Sequence, residues 1–251
     1  MKQFEGKTAL VSGSSQGIGK ALAVELGRRG AAVTINYPRE SEEQNAQAAV
    51  REIGEAGGRA TAVMADISKV GDIVRLFDAA EAAHGKLDFV VANAGGNIRH
   101  ATVLDTDEEL WDAINSLNAK STFFMFREGA RRMNDGGRLI GLSSSTTRVV
   151  YPGTAAYAGC KSAIEMYCKT LSKEIGHRGI TVNSVAPGMT ITEGLRASTV
   201  PEERYELVKS ITPLGRLGVA QDVADVILML LGDDAGWVTG QHVNAGGGAF
   251  H

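Results

Sequence analysis

The chain has 251 residues, 43% of them apolar and 22% charged, with a formal net charge of −3 at pH 7. That length holds a substantial core, and that charge gives no electrostatic reason to expect nucleic acid or an anionic membrane as partner. No apolar run approaches the roughly 18 residues of a membrane span, and the opening MKQFEGKTALVSG lacks the hydrophobic stretch of a signal peptide. Cys160 and Cys168 fall in one helical stretch, about 12 Å apart along its axis, too far to bridge and without metal-ligand spacing. They read as small core residues in a reducing cytoplasm, and no metal site is expected.

In chain order, residues 8–12 (TALVS) form a β-branched and apolar strand that runs into Gly13, Ser14, Ser15, Gln16, Gly17, Ile18 and Gly19. A helix over 20–29 follows. Strand, glycine turn and helix together aim backbone N–H groups and a helix N-terminus at a phosphate, and side chains there would block the approach of a pyrophosphate. The spacing is G-x-x-x-G-x-G, and no G-K-[ST] closes it as a P-loop would require. A second strand, 31–37, ends at Asn36 and Tyr37, with Arg39 beyond. Ser41-x-x-Gln44 has the form of a capping box opening a helix to residue 56. The reading continues with a third strand (60–66) tipped by Asp66, a helix over 69–83, and a nearly all-apolar fourth strand (87–95). Thr106-x-x-Glu109 predicts the cap of a long helix through Trp111, Phe123 and Met133. A fifth strand (137–144) delivers Ser144, a helix runs to about residue 175, and a sixth strand (180–188) follows. Residues 189–218 read as irregular, with a short helix begun by Thr199-x-x-Glu202. A helix over 221–231 and a last strand at 242–244 end the chain.

Regular alternation without linker or repeat predicts α/β architecture: a single-domain, Rossmann-type, doubly wound and mostly parallel sheet of about seven strands, with helices on both faces. Ligands of such folds sit beyond the carboxyl ends of the strands. Gly13, Asn36, Asp66, Asn93, Ser144, Pro187 and Gly188 all fall at such ends.

Ser144 is followed by Tyr157 and, four residues later, Lys161. On a helix that spacing puts phenol and ammonium on one face, where a cation biases the phenol toward its ionised form. Such a phenol is a usable proton donor and acceptor, and Ser144 can hydrogen-bond a substrate oxygen beside it. Alone, Y-x-x-x-K is a weak pattern; the glycine turn gives it weight. The histidines at 84, 100, 177, 242 and 251 share no ligand spacing and read as surface or rim residues. Trp111, Phe123, Phe124 and Phe126 read as core or subunit interface.

Taken together, Ser12-Gly13-x-x-x-Gly17-Ile18-Gly19, Asp66, Ala92-Asn93-Ala94-Gly95, Asn118, Ser144, Tyr157-x-x-x-Lys161 and Pro187-Gly188 resemble the short-chain dehydrogenases/reductases over essentially the whole chain. The pattern is similar to 3-oxoacyl-ACP reductase and glucose dehydrogenase-like members. The resemblance implies an NAD(P)-dependent oxidoreductase of alcohols and carbonyls, assembled as a homotetramer or homodimer. It implies Tyr157 as acid/base, with Lys161 lowering its pKa and holding the nicotinamide ribose. Ser144 would bind the substrate oxygen, and Asn118 would hold a proton-relaying water chain. The cofactor would lie along Gly13, Ser15, Gln16, Gly17, Ile18 and Gly19. Asp66 and Ile67 would lie against adenine, Asn93, Ala94 and Gly95 near the ribose, and Pro187, Gly188, Thr190 and Thr192 by the nicotinamide. Ser12 stands where Thr is usual and Ala92 where Asn is common.

Asn36 and Tyr37 decide the cofactor. An NAD enzyme of this kind places an acid at the end of the second strand, which repels a 2′-phosphate. Here Asn36 is neutral, and Arg39 could grip that phosphate, so NADP is preferred with NAD possible, although Glu40, Glu42 and Glu43 crowd the loop. A catalytically silent NAD(P)-binding regulator and non-redox chemistry on the same scaffold are the alternatives. Residues 189–218 are expected to form a substrate lid.

Overall fold

The computed structural model describes residues 2–196 and 201–249. Strands β1 (Thr8–Val11), β2 (Ala32–Tyr37), β3 (Arg59–Met64), β4 (Phe89–Ala92), β5 (Arg138–Leu142) and β6 (Thr181–Pro187) join β9 (His242–Ala245) in one seven-stranded sheet. Its order is β3-β2-β1-β4-β5-β6-β9, and every pairing is parallel. A separate two-stranded ribbon pairs β7 (Thr190–Ile191) with β8 (Gly218–Val219). The order reverses between β1 and β4, so the loops leaving those two strands part and open a crevice.

Alternation along β1 explains the two-sided core. Ala9 and Val11 face α1 (Gly17–Arg28), α2 (Glu43–Glu55) and α9 (Ala220–Leu231), where Leu22, Leu26, Ile53, Ile227 and Leu231 are buried. Leu10 faces the opposite layer, α3 (Val70–His84), α5 (Ser121–Arg132) and α6 (Ala155–Ile175), among Leu76, Phe77, Met125 and Ile164. Burying each such side chain stabilises the fold by about 1.5–3 kcal/mol. Gly141 on β5 lets α5 and α6 settle close: a Cβ there would stand 2.8 Å from Ile164 Cγ2 and 2.9 Å from Phe126 Cζ. The helix carrying Tyr157 and Lys161 is thereby pressed onto the strand that leads to Ser144.

Several local expectations are corrected. α2 begins after a short 3₁₀ turn, and Ser41 caps nothing. The cap of α4 (Glu108–Asn115) is Asp107, whose carboxylate accepts from the Leu110 N–H at 2.8 Å, while Thr106 bonds back to the Thr102 carbonyl. The long helix is not uniform: α4 and α5 are joined by a π-helical segment, Ser116–Lys120. Among the described residues of 189–218 stand β7, α7 (Glu193–Arg196), α8 (Glu202–Ile211) and β8, so this part of the chain is more regular than expected. Thr199 lies outside the described residues. Both cysteines are buried free thiols, and burial pushes Cys168 up to about 12. No helix among the described residues is long and apolar enough to cross a membrane.

Candidate active site

The crevice is built first from the turn after β1. Gly13 (φ +59°) and Gly17 (φ +59°) adopt left-handed backbone, which a Cβ would strain. A Cβ on Gly19 would stand 2.5 Å from Asn93 Nδ2, so only glycine lets α1 start this close to the β4 loop. Ser12 Oγ accepts from the N–H groups of Asn93 (3.0 Å) and Ala94 (3.1 Å), and Asn93 Nδ2 donates to the carbonyls of Ser12 (2.8 Å) and Gly13 (3.0 Å). The two loops flanking the crevice are thus sewn together. Asn93 spends its amide on that join. The serine for threonine replacement keeps the hydroxyl that makes it.

A cradle of this shape fits a dinucleotide. The N–H groups of α1's first turn face the crevice, and the Gly17 N–H already holds an anion, the carboxylate of Glu193, at 3.1 Å. Glu193 has no signature in the sequence that would have singled it out.

The end of β2 differs from expectation. Asn36 is 1% exposed and its side chain is spent internally: Oδ1 accepts from the Gly13 N–H at 3.0 Å, and Nδ2 donates to the Ala65 carbonyl at 3.0 Å. It positions the glycine turn and does not reach out of it. Arg39 projects into solvent and pairs with Glu42 at 3.3 Å, and the other oxygen of Glu42 accepts from Ser15 Oγ at 2.9 Å. Tyr37 is buried, and burial with Glu43 and Glu40 nearby raises its pKa. Asp66 accepts from the Ser68 N–H (3.1 Å) and hydroxyl (2.7 Å), and Ile67 is buried beside it.

The chemistry-bearing groups converge on the ends of β4 and β5. Ser144 leaves β5 as a nearly buried residue, its Oγ accepting from the Thr146 N–H at 3.2 Å. α6 sets Tyr157 and Lys161 one turn apart, with Lys161 Nζ 5.5 Å from the phenol ring centroid and donating to the Leu142 carbonyl at 2.8 Å. Asn118 lies in the π segment, fully buried. Its Oδ1 accepts from the Gly96 N–H (3.0 Å), and its Nδ2 donates to the carbonyls of Gly96 (3.0 Å) and Ile114 (2.8 Å). Single π turns recur at functional sites because they re-aim one side chain. A Cβ on Gly95 would stand 2.6 Å from Asn118 Oδ1 and 3.0 Å from Lys161 Nζ, so all three need the glycine.

One electrostatic expectation fails. Burial raises the Tyr157 pKa above its ordinary value, its hydrogen bond with Ser144 pulls it down, and Cys160 pushes it up. Burial also disfavours the Lys161 charge, bringing its pKa down to about 8. In this structure burial outweighs the Ser144 hydrogen bond, and the phenol is held protonated. Chemically the cluster offers a protonated phenol, a hydroxyl beside it and a buried ammonium behind.

Beyond the cluster, the loops after β4 and β5 meet at the Ala101 N–H to Gly153 carbonyl bond, 3.3 Å. The Arg204 guanidinium of α8 stacks on Tyr151 at 3.9 Å, bringing the 189–218 segment to the same edge. Thr190 Oγ1 donates to the Gly188 carbonyl (2.9 Å), which follows Pro187, and Thr192 Oγ1 accepts from the Leu195 N–H (3.2 Å). His242, expected on the rim, is instead buried behind α6, its side chain 7% exposed.

A family model described as Enoyl-(Acyl carrier protein) reductase matches residues 13–249. A short chain dehydrogenase/reductase, nsrJ, of Aspergillus novofumigatus is 39% identical over 258 residues, covering 98% of this chain and 97% of that protein. The angucycline C-6 ketoreductase LanV, solved with bound NADP, superposes with a TM-score of 0.91 at 36% identity, covering 99% of this chain and 97% of that one. The reductase LugOII, which catalyses keto-reduction at C1 during lugdunomycin biosynthesis, superposes with a TM-score of 0.89 at 37% identity over 98% and 99% of the two chains. On the matched family model, the whole-length identity and the shared fold, this chain belongs to the short-chain dehydrogenase/reductase family of oxidoreductases.

Proposed function

We propose that the chain is an NADPH-dependent ketoreductase in which Tyr157 donates the proton that completes an alcohol. The observation that carries this reading is the convergence of Ser144, Tyr157, Lys161 and Asn118 beside the glycine cradle, with burial holding the phenol in the protonated form a reductase needs. Bound NADPH supplies the hydride. The residues of this chain do the rest. Ser144 orients the carbonyl oxygen, and the Tyr157 hydroxyl gives it a proton as negative charge develops there. Lys161, anchored by the Leu142 carbonyl, holds the nicotinamide-side ribose and replenishes the phenol through water kept by Asn118.

The glycine turn with Ser15, Gln16 and Ile18 holds the pyrophosphate. Asp66 and Ile67 flank adenine, and Pro187, Gly188, Thr190 and Thr192 border the nicotinamide. Support for NADP over NAD comes from β2, which ends without an acid at Asn36 or Tyr37, from Arg39 just beyond, and from the NADP bound by LanV. The substrate is a ketone on an apolar framework: Ile98 and Val150, more than half exposed, stand on the loops that leave β4 and β5, and Leu207 stands on α8. The 189–218 segment acts as the lid. Trp111, Phe123 and Met166, each about half exposed on α4, α5 and α6, suit a twofold helix interface, and we expect a homotetramer by light scattering. Free buried thiols suit a reducing cytoplasm.

The test is consumption of reduced nicotinamide, followed by its absorbance, across a panel of ketones including 1-tetralone, for wild type and Tyr157→Phe. The variant is expected to lose at least about 10²-fold in kcat while binding NADPH as before. Retention of more than about a tenth of the activity removes Tyr157 from the proton transfer.

A further inference from the structure

Behind the cluster, on the side of α6 away from the glycine cradle, sits a buried carboxylate that the reaction does not use. Glu165 is 7% exposed, one helical turn after Lys161. Oε1 accepts from Ser143 Oγ at 2.8 Å, and Oε2 receives Arg148 Nη2 at 3.1 Å. The Thr147 hydroxyl, which donates to the Ser144 carbonyl at 3.0 Å, lies near the carboxylate, and His242 Nε2 approaches from β9 to 3.5 Å. Burial alone would neutralise the group, but these hydrogen bonds, with the Arg148 guanidinium and His242 beside it, outweigh it and keep Glu165 ionised.

The partners have a pattern. Ser143 precedes Ser144, and Arg148 follows it, so one side chain grips both flanks of the turn that presents Ser144. It grips them from the helix that carries Tyr157 and Lys161. Ser143 Oγ also lies 3.3 Å from the Lys161 carbonyl, which ties the same turn to the same helix. We propose that Glu165 is a positioning residue, clamping the 143–148 turn to α6 so that the Ser144 hydroxyl stays in register with the Tyr157 phenol. The proposal rests on the reading of Ser144 and Tyr157 given above.

The clamp has a consequence that a merely structural carboxylate would not have. The Ser144 hydrogen bond lowers the phenol pKa, so a slack turn raises it. In alcohol oxidation the phenolate is the base, so activity is present above that pKa and is lost as pH falls through it. Slackening Ser144 must therefore move the acidic limb of the oxidation profile to higher pH. The groups facing Tyr157 are Lys161 and Cys160 of α6. Those facing Glu165 are Arg148 of the turn, His242 of β9 and Cys168 along α6, with Lys169 beside His242. Burial, Arg148 and Lys169 lower the His242 pKa against the opposing pull of Glu165.

Two variants cut the clamp at different points with little change of volume. Glu165→Gln turns an amide toward Arg148 and releases the far flank; Ser143→Ala releases the near one. Crystal structures of both should show the 143–148 turn shifted from α6 and Ser144 Oγ beyond hydrogen-bonding distance of the phenol. With 1-tetralol and NADP⁺, Glu165→Gln should lose about ten- to a hundredfold in kcat, as a small misplacement of a positioned group does. Its acidic limb should move upward toward that of Ser144→Ala. Thermal stability and NADP⁺ affinity serve as the contrast: loss of both with no movement of the limb makes Glu165 a packing residue and overturns the proposal. An unmoved turn in both crystal structures overturns it as well. Failure of the underlying reading looks different, because Tyr157→Phe would then keep its turnover.

Discussion

The glycine cradle and the 189–218 segment sit at the same edge of the sheet but are built by opposite means. In the cradle, Ser12, Asn36 and Asn93 are committed to cross-loop hydrogen bonds of 2.8–3.1 Å, and Gly19 leaves no room for even one methyl group. In the segment, α8 buries Val208 while Leu207 and Ile211 stay half exposed. Its outward ties include the Leu214 N–H to the Gly247 carbonyl at 3.3 Å and Arg204 over Tyr151. A surface that must present backbone N–H groups in one geometry is held by directional bonds. The segment proposed above as the substrate cover is held largely by stacking and exposed apolar contacts, which break at low cost. On the proposed function, the rigid part holds the cofactor and the lightly fastened one chooses the substrate.

The sharpest way to break that contrast is Gly19→Ala. The added Cβ would collide with Asn93 Nδ2 at 2.5 Å, which two backbone carbonyls hold in place, and with the Gly13 carbonyl itself, so neither can yield cheaply. We expect NADPH affinity, followed by fluorescence titration, to fall at least tenfold, together with a lowered Tm, since overpacking typically costs about 1–3 kcal/mol. Full affinity at wild-type Tm would mean the cradle is as forgiving as the lid.

A smaller effect is expected at the outer end of the cradle, where Arg39 is 73% exposed in its pair with Glu42. Arg39→Ala should lower the NADP(H) to NAD(H) ratio of kcat/KM by roughly tenfold, the value of one charge-assisted phosphate contact. Glu42→Gln should move the ratio the other way, because it frees Arg39 and removes a negative charge near the 2′-phosphate. A ratio unmoved by both substitutions separates cofactor choice from this pair.

How much of this was legible in the sequence follows the same division. Runs such as TALVS and the glycines after them announce strands and a phosphate turn because their chemistry is local, and Tyr157 and Lys161 are readable as neighbours because helical periodicity puts them together. What stayed hidden depends on register or on distant partners. Asn36 reads as a strand-end residue free to meet a ligand. A side chain's face changes with every residue along a strand, and here it falls inward on Gly13. Thr106 and Asp107 are both good caps, and only the backbone at the start of α4 selects Asp107. The π segment at Asn118 leaves no periodic trace in five residues. The lowering of the Tyr157 pKa expected from Lys161 came from spacing alone, which carries no information about burial, and burial is the larger cause. Glu165 carries no local signal, since its partners lie 17 and 22 positions upstream.

Glu193 gives the last and smallest prediction, because it is where the two regions touch. It belongs to the segment, yet its carboxylate accepts from the Gly17 N–H at 3.1 Å, at the helix end that favours an anion. A pyrophosphate at that N–H must displace it, and the displaced carboxylate then remains as a like charge nearby. Both effects oppose cofactor binding, so Glu193→Gln, which keeps size and loses charge, should tighten NADPH. A charge at a helix N-terminus is typically worth about 0.3–1 kcal/mol at an exposed site, which corresponds to roughly a two- to fivefold lower Kd. Because the contact is exposed, the gain should shrink as ionic strength rises and screening takes over. Titrating wild type and Glu193→Gln with NADPH at low and high salt measures both. A variant that binds more weakly would show that the carboxylate fastens the segment to the cradle and supports the bound cofactor; a gain that ignores salt would mean the charge is not its source. The expected pattern, tighter binding fading with salt, would make cofactor entry the event that frees this end of the segment from the cradle.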